Sequence, residues 1–308
     1  MTVDSALPDE LPFDDAPSSG GAALPAALGA AARERLAGAP LLALLDVDGT
    51  LAPIVAHPSA ATVPDDTRRA VAALVARPRT HVAVVSGRAA ADAARVVGVD
   101  GVWVIGNHGA ERVAPDGGIV VDPLVAPFAR RVEGALRQLQ PAVDAVPGAE
   151  LEDKRWTMTL HYRRVDDDAA AAALGAAAAA AAHTHGLALR EGKKIFELRP
   201  TVRVDKGVAS LRLAADLGAL APGASVLYAG DDATDEDAFR ALRNAVPRAV
   251  TVRVGAGAEE GATTTTGGPT AAEFTVADLH ALRALLEQIV QLPRREADVP
   301  SPHARPGR

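Results

Sequence analysis

The stretch LLALLDVDGTLAPI, Leu41 to Ile54, decides how the chain is read. An apolar run leads without interruption into Asp46, and Asp48 follows two positions later, ahead of Gly49 and Thr50. Such a run reads as a strand buried on both faces, the kind found in parallel sheets covered by helices. It can stay apolar until its carboxyl end, where α/β proteins open a ligand crevice. Residues two apart in extended backbone point to the same side, so Asp46 and Asp48 are expected to serve one site. An aspartate carboxylate can act as a nucleophile toward phosphorus. A second carboxyl can give a proton to the leaving oxygen and later take one from water. Gly49 lets the chain turn and Thr50 adds a hydroxyl. The bland alternative is a strand end followed by an acidic turn.

Around this stretch the composition sets limits. The chain has 308 residues, 48% of them hydrophobic and 23% charged, which fits one large soluble domain or two modest ones. Net charge is -7 and no basic cluster stands out, so no nucleic-acid partner is expected. No apolar run is long enough to span a membrane, and the acidic N-terminus lacks the order of a signal peptide. There is no cysteine, which excludes disulfides, thiolate catalysis and thiolate-bound zinc. A cytoplasmic location is expected, and the sequence points to no protein partner.

Residues 1–37, rich in Ala, Pro, Gly and acids, are expected to form a disordered leader with a short helix near Ala26 to Leu36. Residues 293–308 read as a polar tail. Between them apolar strands alternate with helical patterns: strands at 41–47, 81–87, 102–109 and 225–232, a last one at 249–255, and helices at 65–78, 208–219 and 236–245. The pattern predicts a Rossmann-like α/β core of parallel strands, in two parts, 38–119 and 201–292. Residues 120–200 read differently: a helix, the alternating string LEDKRWTMTLHYRRV, an alanine-rich helix at 169–182, and KKIFELRPTV. Alternation at period two marks strands with one wet face, so an α+β module is expected as an insertion. The glycine-rich stretch 255–268 lacks the lysine of a phosphate loop and reads as a flexible connection.

Three further segments strengthen the reading of DVDGT. Ser86 in SGR ends the second strand with a hydroxyl suited to a phosphoryl oxygen. Lys206 in VDKG precedes a helix and can neutralise phosphoryl oxygens. The string GDDATDEDAF ends another strand and gathers Asp231, Asp232, Asp235, Glu236 and Asp237. So dense a cluster is costly unless a cation or solvent relieves it. Hard oxygen donors favour Mg²⁺, which takes one or two protein carboxylates and keeps waters. Asp231 is the expected metal ligand, Asp232 the second candidate, and Asp235 to Asp237 are expected to cap the next helix. His183 and His185 read as a polar helix end.

In this order the four segments resemble the haloacid dehalogenase superfamily of phosphohydrolases. The resemblance implies Asp46 as nucleophile, Asp48 as general acid and base, and Ser86 and Lys206 as phosphoryl ligands. It also implies Mg²⁺ on Asp46, Asp231 and the Asp48 carbonyl. The longer strings LLALLDVDGTLAPI, VVSGR, GNHGAE, LEDKRWTMTLHYR, GKKIFELRP, DKG and GDDATDEDAF resemble the trehalose-6-phosphate phosphatase family over roughly residues 41–240. That resemblance implies a cap closing over trehalose 6-phosphate, with Arg88, Asn107, His108, Gly109, Glu152, Lys154, Arg163, Lys193 and Glu197 binding the substrate. Trp156, after Lys154 and Arg155, departs from the residue expected there, so cap packing is expected to differ locally. The competing expectations are a capped phosphatase for another sugar phosphate, a non-catalytic phosphate-binding regulatory domain, and a phosphomutase.

Overall fold

The computed structural model describes residues 29–55, 57–202, 204–255 and 270–293, together with the backbone of 22–23. Most of the expected leader, the glycine-rich stretch from 256 and the tail from 294 lie outside the described residues.

The central strand is β2 (Leu41–Asp46), every residue of which is buried. On one side it pairs in parallel with β3 (Thr80–Val85), which pairs with β4 (Trp103–Gly106). On the other side it pairs in parallel with β11 (Ser225–Gly230), then β12 (Val250–Val254) and β13 (Phe274–Val276) follow, also in parallel. The two-residue β1 (Ala22–Ala23) adds a parallel edge beside β13, and the antiparallel β5 (Glu111–Val113) and β6 (Ile119–Val121) extend the opposite edge. The chain thus builds outward from β2 in one direction, then returns to its other side. That reversal opens a crevice at the carboxyl ends of β2 and β11.

Helices cover both faces of the sheet. The helices α1 (Ala30–Leu36), α2 (Asp65–Val75), α3 (Ala90–Val97) and α8 (Leu279–Val290) bury one apolar cluster with Leu41, Ala43 and Leu45 of β2. The helices α6 (Lys206–Asp216) and α7 (Ala233–Ala245) bury a second cluster with Leu42 and Leu44. Alternate residues of one strand feeding two cores explain why LLALL shows no alternation in sequence. Asp65 and Asp66 open α2, where the helix dipole favours them.

Inserted between β6 and α6 is a second layer: the antiparallel sheet β7 (Glu150–Asp153), β8 (Met158–His161), β10 (Ile195–Arg199) and β9 (Ala188–Gly192), in that spatial order. Its apolar face, with Met158, Leu160, Phe196 and Leu198, packs on α4 (Ala129–Asp144) and α5 (Asp168–His185). The alanine run of α5 brings its backbone close to this sheet. A Cβ added at Gly175 would lie 2.8 Å from the Phe196 ring. His185 Nε2 meets Gln138 Oε1 at 3.0 Å, joining the last residue of α5 to the middle of α4.

The structure refines the expected boundaries. Within the expected leader, α1 buries Ala32 and Leu36 against the core, so packing begins before residue 38. The strand at 119–121 still belongs to the main sheet, and the cap elements start at α4. The stretch 249–255 is not the last strand, because β13 follows it across the sheet.

Candidate active site

Strand ends and helix starts supply the residues that meet in the crevice. Asp46 closes β2 and is 4% exposed. Lys206 opens α6 just after Asp205, which caps that helix by accepting from Val208 N at 2.8 Å. The Lys206 ammonium donates to Asp46 Oδ1 at 2.7 Å and to Asp235 Oδ1 at 2.8 Å, and only 2% of its side chain is exposed. The end of β2 and the starts of α6 and α7 therefore meet at this ammonium.

Asp231 follows β11 and accepts from Thr50 Oγ1 at 3.2 Å. Gly49 makes this approach possible: it has φ +87°, and a Cβ there would lie 2.1 Å from Asp231 Oδ2. The carboxylates of Asp46, Asp231 and Asp235 each place an oxygen within 4.8 Å of the others. Three hard oxygen donors so close together could hold a hard metal cation.

Asp232, expected as the second ligand, has another task. It is the N-cap of α7, accepting from Thr234 N and Asp235 N, and Asp235 returns the favour at the Asp232 N–H. This capping box turns Asp235 inward, where Tyr228 Oη and Asp231 N also donate to it, at 2.8 and 3.0 Å. Of the three acids expected to cap α7, Asp235 alone does so. Glu236 holds Arg253, Thr270 and Ala271, and Asp237 pairs with Arg240.

The electrostatics follow from crowding. Burial pushes Asp46 well above the usual carboxylate range, with Asp235 and Asp231 adding repulsion and Lys206 opposing them. Burial likewise raises Asp231 to about 7, helped by Asp235 and Asp232 and opposed by Lys206 and the Thr50 hydroxyl. Asp232 sits at about 2: burial works against its charge, but Lys206 and the hydrogen bonds at its helix cap outweigh it. Burial disfavours the Lys206 ammonium too, yet Asp46 and Asp235 hold its pKa above the ordinary lysine value.

Asp48 is gripped by Arg88, whose Nε and Nη2 donate to its two oxygens at 2.6 and 2.7 Å. Asp92 and the Pro58 carbonyl hold the remaining face of that guanidinium, at 2.6 and 3.0 Å. Arg88, expected on the substrate, therefore orients the second acid of the pair. Ser86 stands one residue past Val85, the register partner of Asp46, and its hydroxyl is buried.

The core rim is the turn Asn107–Gly109, where Asn107 and His108 both take positive φ, 50° and 55°. The His108 ring lies over Gly87; a Cβ there would be 2.5 Å from the ring. Burial, Lys206 and Lys154 push His108 down to about 3, so the ring is neutral. Asn107 Oδ1 and His108 Nδ1 are buried without a hydrogen-bond partner.

Opposite lies the polar face of the cap sheet. Glu152, Thr159 and Glu197 are register partners across β7, β8 and β10. Glu197 Oε1 is 3.8 Å from His108 Nε2, and Lys154 Nζ is 3.7 Å from Glu152 Oε2. Arg163 and Lys193 are exposed in turns at the far end of this sheet, where Tyr162 N meets Lys194 O at 3.1 Å. Sequence reasoning gave Asp235 only a helix cap and gave no role to Thr159, His161 or Glu111. His161 holds Glu152 at 2.8 Å, two strand positions from Thr159, and its place in the alternation of TMTLH signals that shared face.

A parallel α/β core, an inserted cap and an acid–lysine crevice at the strand ends define the class: the fold is that of haloacid dehalogenase-like hydrolases. The family model described as Trehalose-phosphatase matches residues 44–277, and the chain belongs to that family. It is 40% identical over 202 residues to an uncharacterized glycosyl hydrolase of Mycobacterium tuberculosis, covering 65% of this chain and 15% of that protein. It is 36% identical to the trehalose-phosphate phosphatase of Mycolicibacterium paratuberculosis over 71% of this chain and 56% of that one. The chain thus spans a small slice of the first relative and little more than half of the second. The structure of Aspergillus fumigatus trehalose-6-phosphate phosphatase aligns with a TM-score of 0.61 at 26% identity, covering 88% of this chain and 99% of that one. Among the described residues no helix is long and apolar enough to cross a membrane.

Proposed function

We propose that this chain is a Mg²⁺-dependent phosphatase that releases phosphate from trehalose 6-phosphate through an aspartyl-phosphate on Asp46. The observation that carries the reading is the buried contact of Lys206 with Asp46, beside Asp231 and Asp235, beneath a cap face bearing Glu152, Lys154 and Glu197.

The chemistry divides by residue. Asp46 attacks phosphorus in line, and Lys206 holds the nucleophile and draws charge from the phosphoryl oxygens. Ser86 adds a hydroxyl to that cradle. Asp48 protonates the departing sugar oxygen, then accepts a proton from the water that cleaves the aspartyl-phosphate, while Arg88 fixes its direction. Asp46, Asp231 and Asp235 would hold Mg²⁺, which, when bound, neutralises the phosphoryl group and the acids around it.

Substrate choice belongs to the rims. Carboxylates accept from sugar hydroxyls and lysines donate to them, so Glu152, Glu197 and Lys154 suit a disaccharide. The unpartnered Asn107 Oδ1 and His108 Nδ1 offer an acceptor each, or a donor in the other ring tautomer, and burying them unmatched is costly. Arg163 and Lys193 take part only at the outer end of the cap. The test is phosphate release from a panel of phosphorylated sugars, with and without Mg²⁺. Preference for trehalose 6-phosphate supports the reading; preference for another sugar phosphate, or a stable phosphoprotein without release, overturns it.

A further inference from the structure

Glu111, the first residue of β5, is a buried carboxylate with no part in the chemistry described so far. Its Oε1 accepts from Ala90 N at 2.8 Å and from Asn107 Nδ2 at 2.9 Å. Its Oε2 accepts from Trp156 Nε1 at 3.1 Å. Asn107 Nδ2 also donates to the Lys154 carbonyl at 3.0 Å. One carboxylate therefore ties the start of α3, the left-handed turn carrying His108, and the cap turn carrying Lys154. We propose that Glu111 is a positioning residue that sets the register of the core rim against the cap rim, acting through Asn107 and Trp156. The proposal rests on the reading that these rims hold the sugar.

The surroundings support this role. Trp156 is 4% exposed and packs with Ala110 and Val125, against Val202 and Val204. Val125 belongs to the strand of chain leading into the cap, and Val202 and Val204 to the one leading out. The indole thus sits where both crossings meet, and a pin there fixes the two rims relative to each other. Lys154 is two residues from the pin, and its turn is set by Arg155 at φ 71° and by the Asp153 carboxylate accepting from Arg155 N at 2.7 Å.

The chemistry is specific to a carboxylate. All three partners donate, and an ionised carboxylate only accepts. A glutamine in its place offers an N–H₂ group toward at least one donor. Removing the indole N–H by Trp156→Phe leaves the packing but takes away the cap half of the pin.

The test uses the full chain with Mg²⁺ and two substrates, trehalose 6-phosphate and a small aryl phosphate. Glu111→Gln should raise KM for the sugar about tenfold, with kcat on the aryl ester within about twofold, and Trp156→Phe should act the same way at about threefold. The double variant should be no worse than Glu111→Gln alone, because the donor facing the amide is gone. Equal losses on both substrates with KM unmoved would overturn the proposal. The chain has two tryptophans, so Trp103→Phe leaves Trp156 as the sole tryptophan, excited selectively at long wavelength. In that background Glu111→Gln should increase acrylamide quenching of Trp156; unchanged quenching overturns the proposal. If the unaltered enzyme cleaves the aryl ester but not trehalose 6-phosphate, the sugar assignment fails and the quenching result alone decides the pin. If Glu111→Gln does not fold, Trp156→Phe carries the kinetic comparison by the same criterion.

Discussion

The core half of the crevice and the cap half are built to different standards. In the core, Asp46, Lys206 and Asp235 are almost wholly buried and held at 2.7 to 2.8 Å, each placed by a strand end or a helix start. On the cap, Glu152 is 44% exposed at its side chain, the Lys154 to Glu152 contact is 3.7 Å, and Arg163 and Lys193 stand in exposed turns. Atoms that must meet phosphorus in line tolerate little error, whereas sugar hydroxyls accept several donor geometries. On the proposed reading, reaction falls to the more buried layer and recognition to the more exposed one.

The sharpest break of this contrast is Asp46→Asn. It should lower phosphate release by more than about a thousandfold while the circular dichroism spectrum stays native, since the nucleophile is lost and little volume changes. Residual turnover near the parent level would mean that another group attacks.

Lys206→Met comes next. It leaves Asp46 and Asp235 buried without their counter-charge, so a loss of about 3 kcal/mol of unfolding free energy should accompany loss of turnover, read by urea titration. A variant as stable as the parent would place the ammonium outside the core's stabilising network.

A third prediction concerns pH and metal. Asp231 moves from 3.8 to about 7 on folding, so between those values the folded chain binds more protons than the unfolded one. Stability of the chelator-treated protein should therefore fall as pH rises through that window, and Mg²⁺ should raise the melting temperature more at pH 8 than at pH 5 (both about). An equal Mg²⁺ effect at both values would show that the cation sits elsewhere.

The smallest effect compares two cap lysines. Lys154→Ala should raise KM for the sugar phosphate about tenfold, and Lys193→Ala no more than about twofold. Equal effects would extend the recognition surface to the outer turn of the cap.

Much of the core was legible because buried parallel strands leave a simple signature: apolar runs that end in chemistry, as LLALLD and SVLYAG do. The acid pair, Ser86, Lys206 and Asp231 were read from those ends. Asp235 was harder, because a residue three places into a helix start looks like a cap, and only folding reveals that the capping box turns its carboxylate toward Lys206. Asp232, expected as a metal ligand, is the N-cap of that helix, a position whose sequence signal is the same. Arg88 was read as a substrate ligand, since nothing in sequence links it to Asp48, forty positions earlier. The antiparallel strands β5 and β6 are three residues each; the APDGG turn between them was their available signal. The β13 strand is as short and follows a glycine-rich stretch, so periodicity had little to act on.

The insertion of the cap between the two parts of the core has a consequence during synthesis. Asp46 leaves the ribosome 160 residues before Lys206, with the whole cap still to come. Until that lysine arrives, Asp46 lacks its ion-pair partner, and closing so long a loop is entropically slow. A nascent chain that has not yet extruded Lys206 cannot assemble the acid–lysine pair, so the pair forms only after the whole cap has been made.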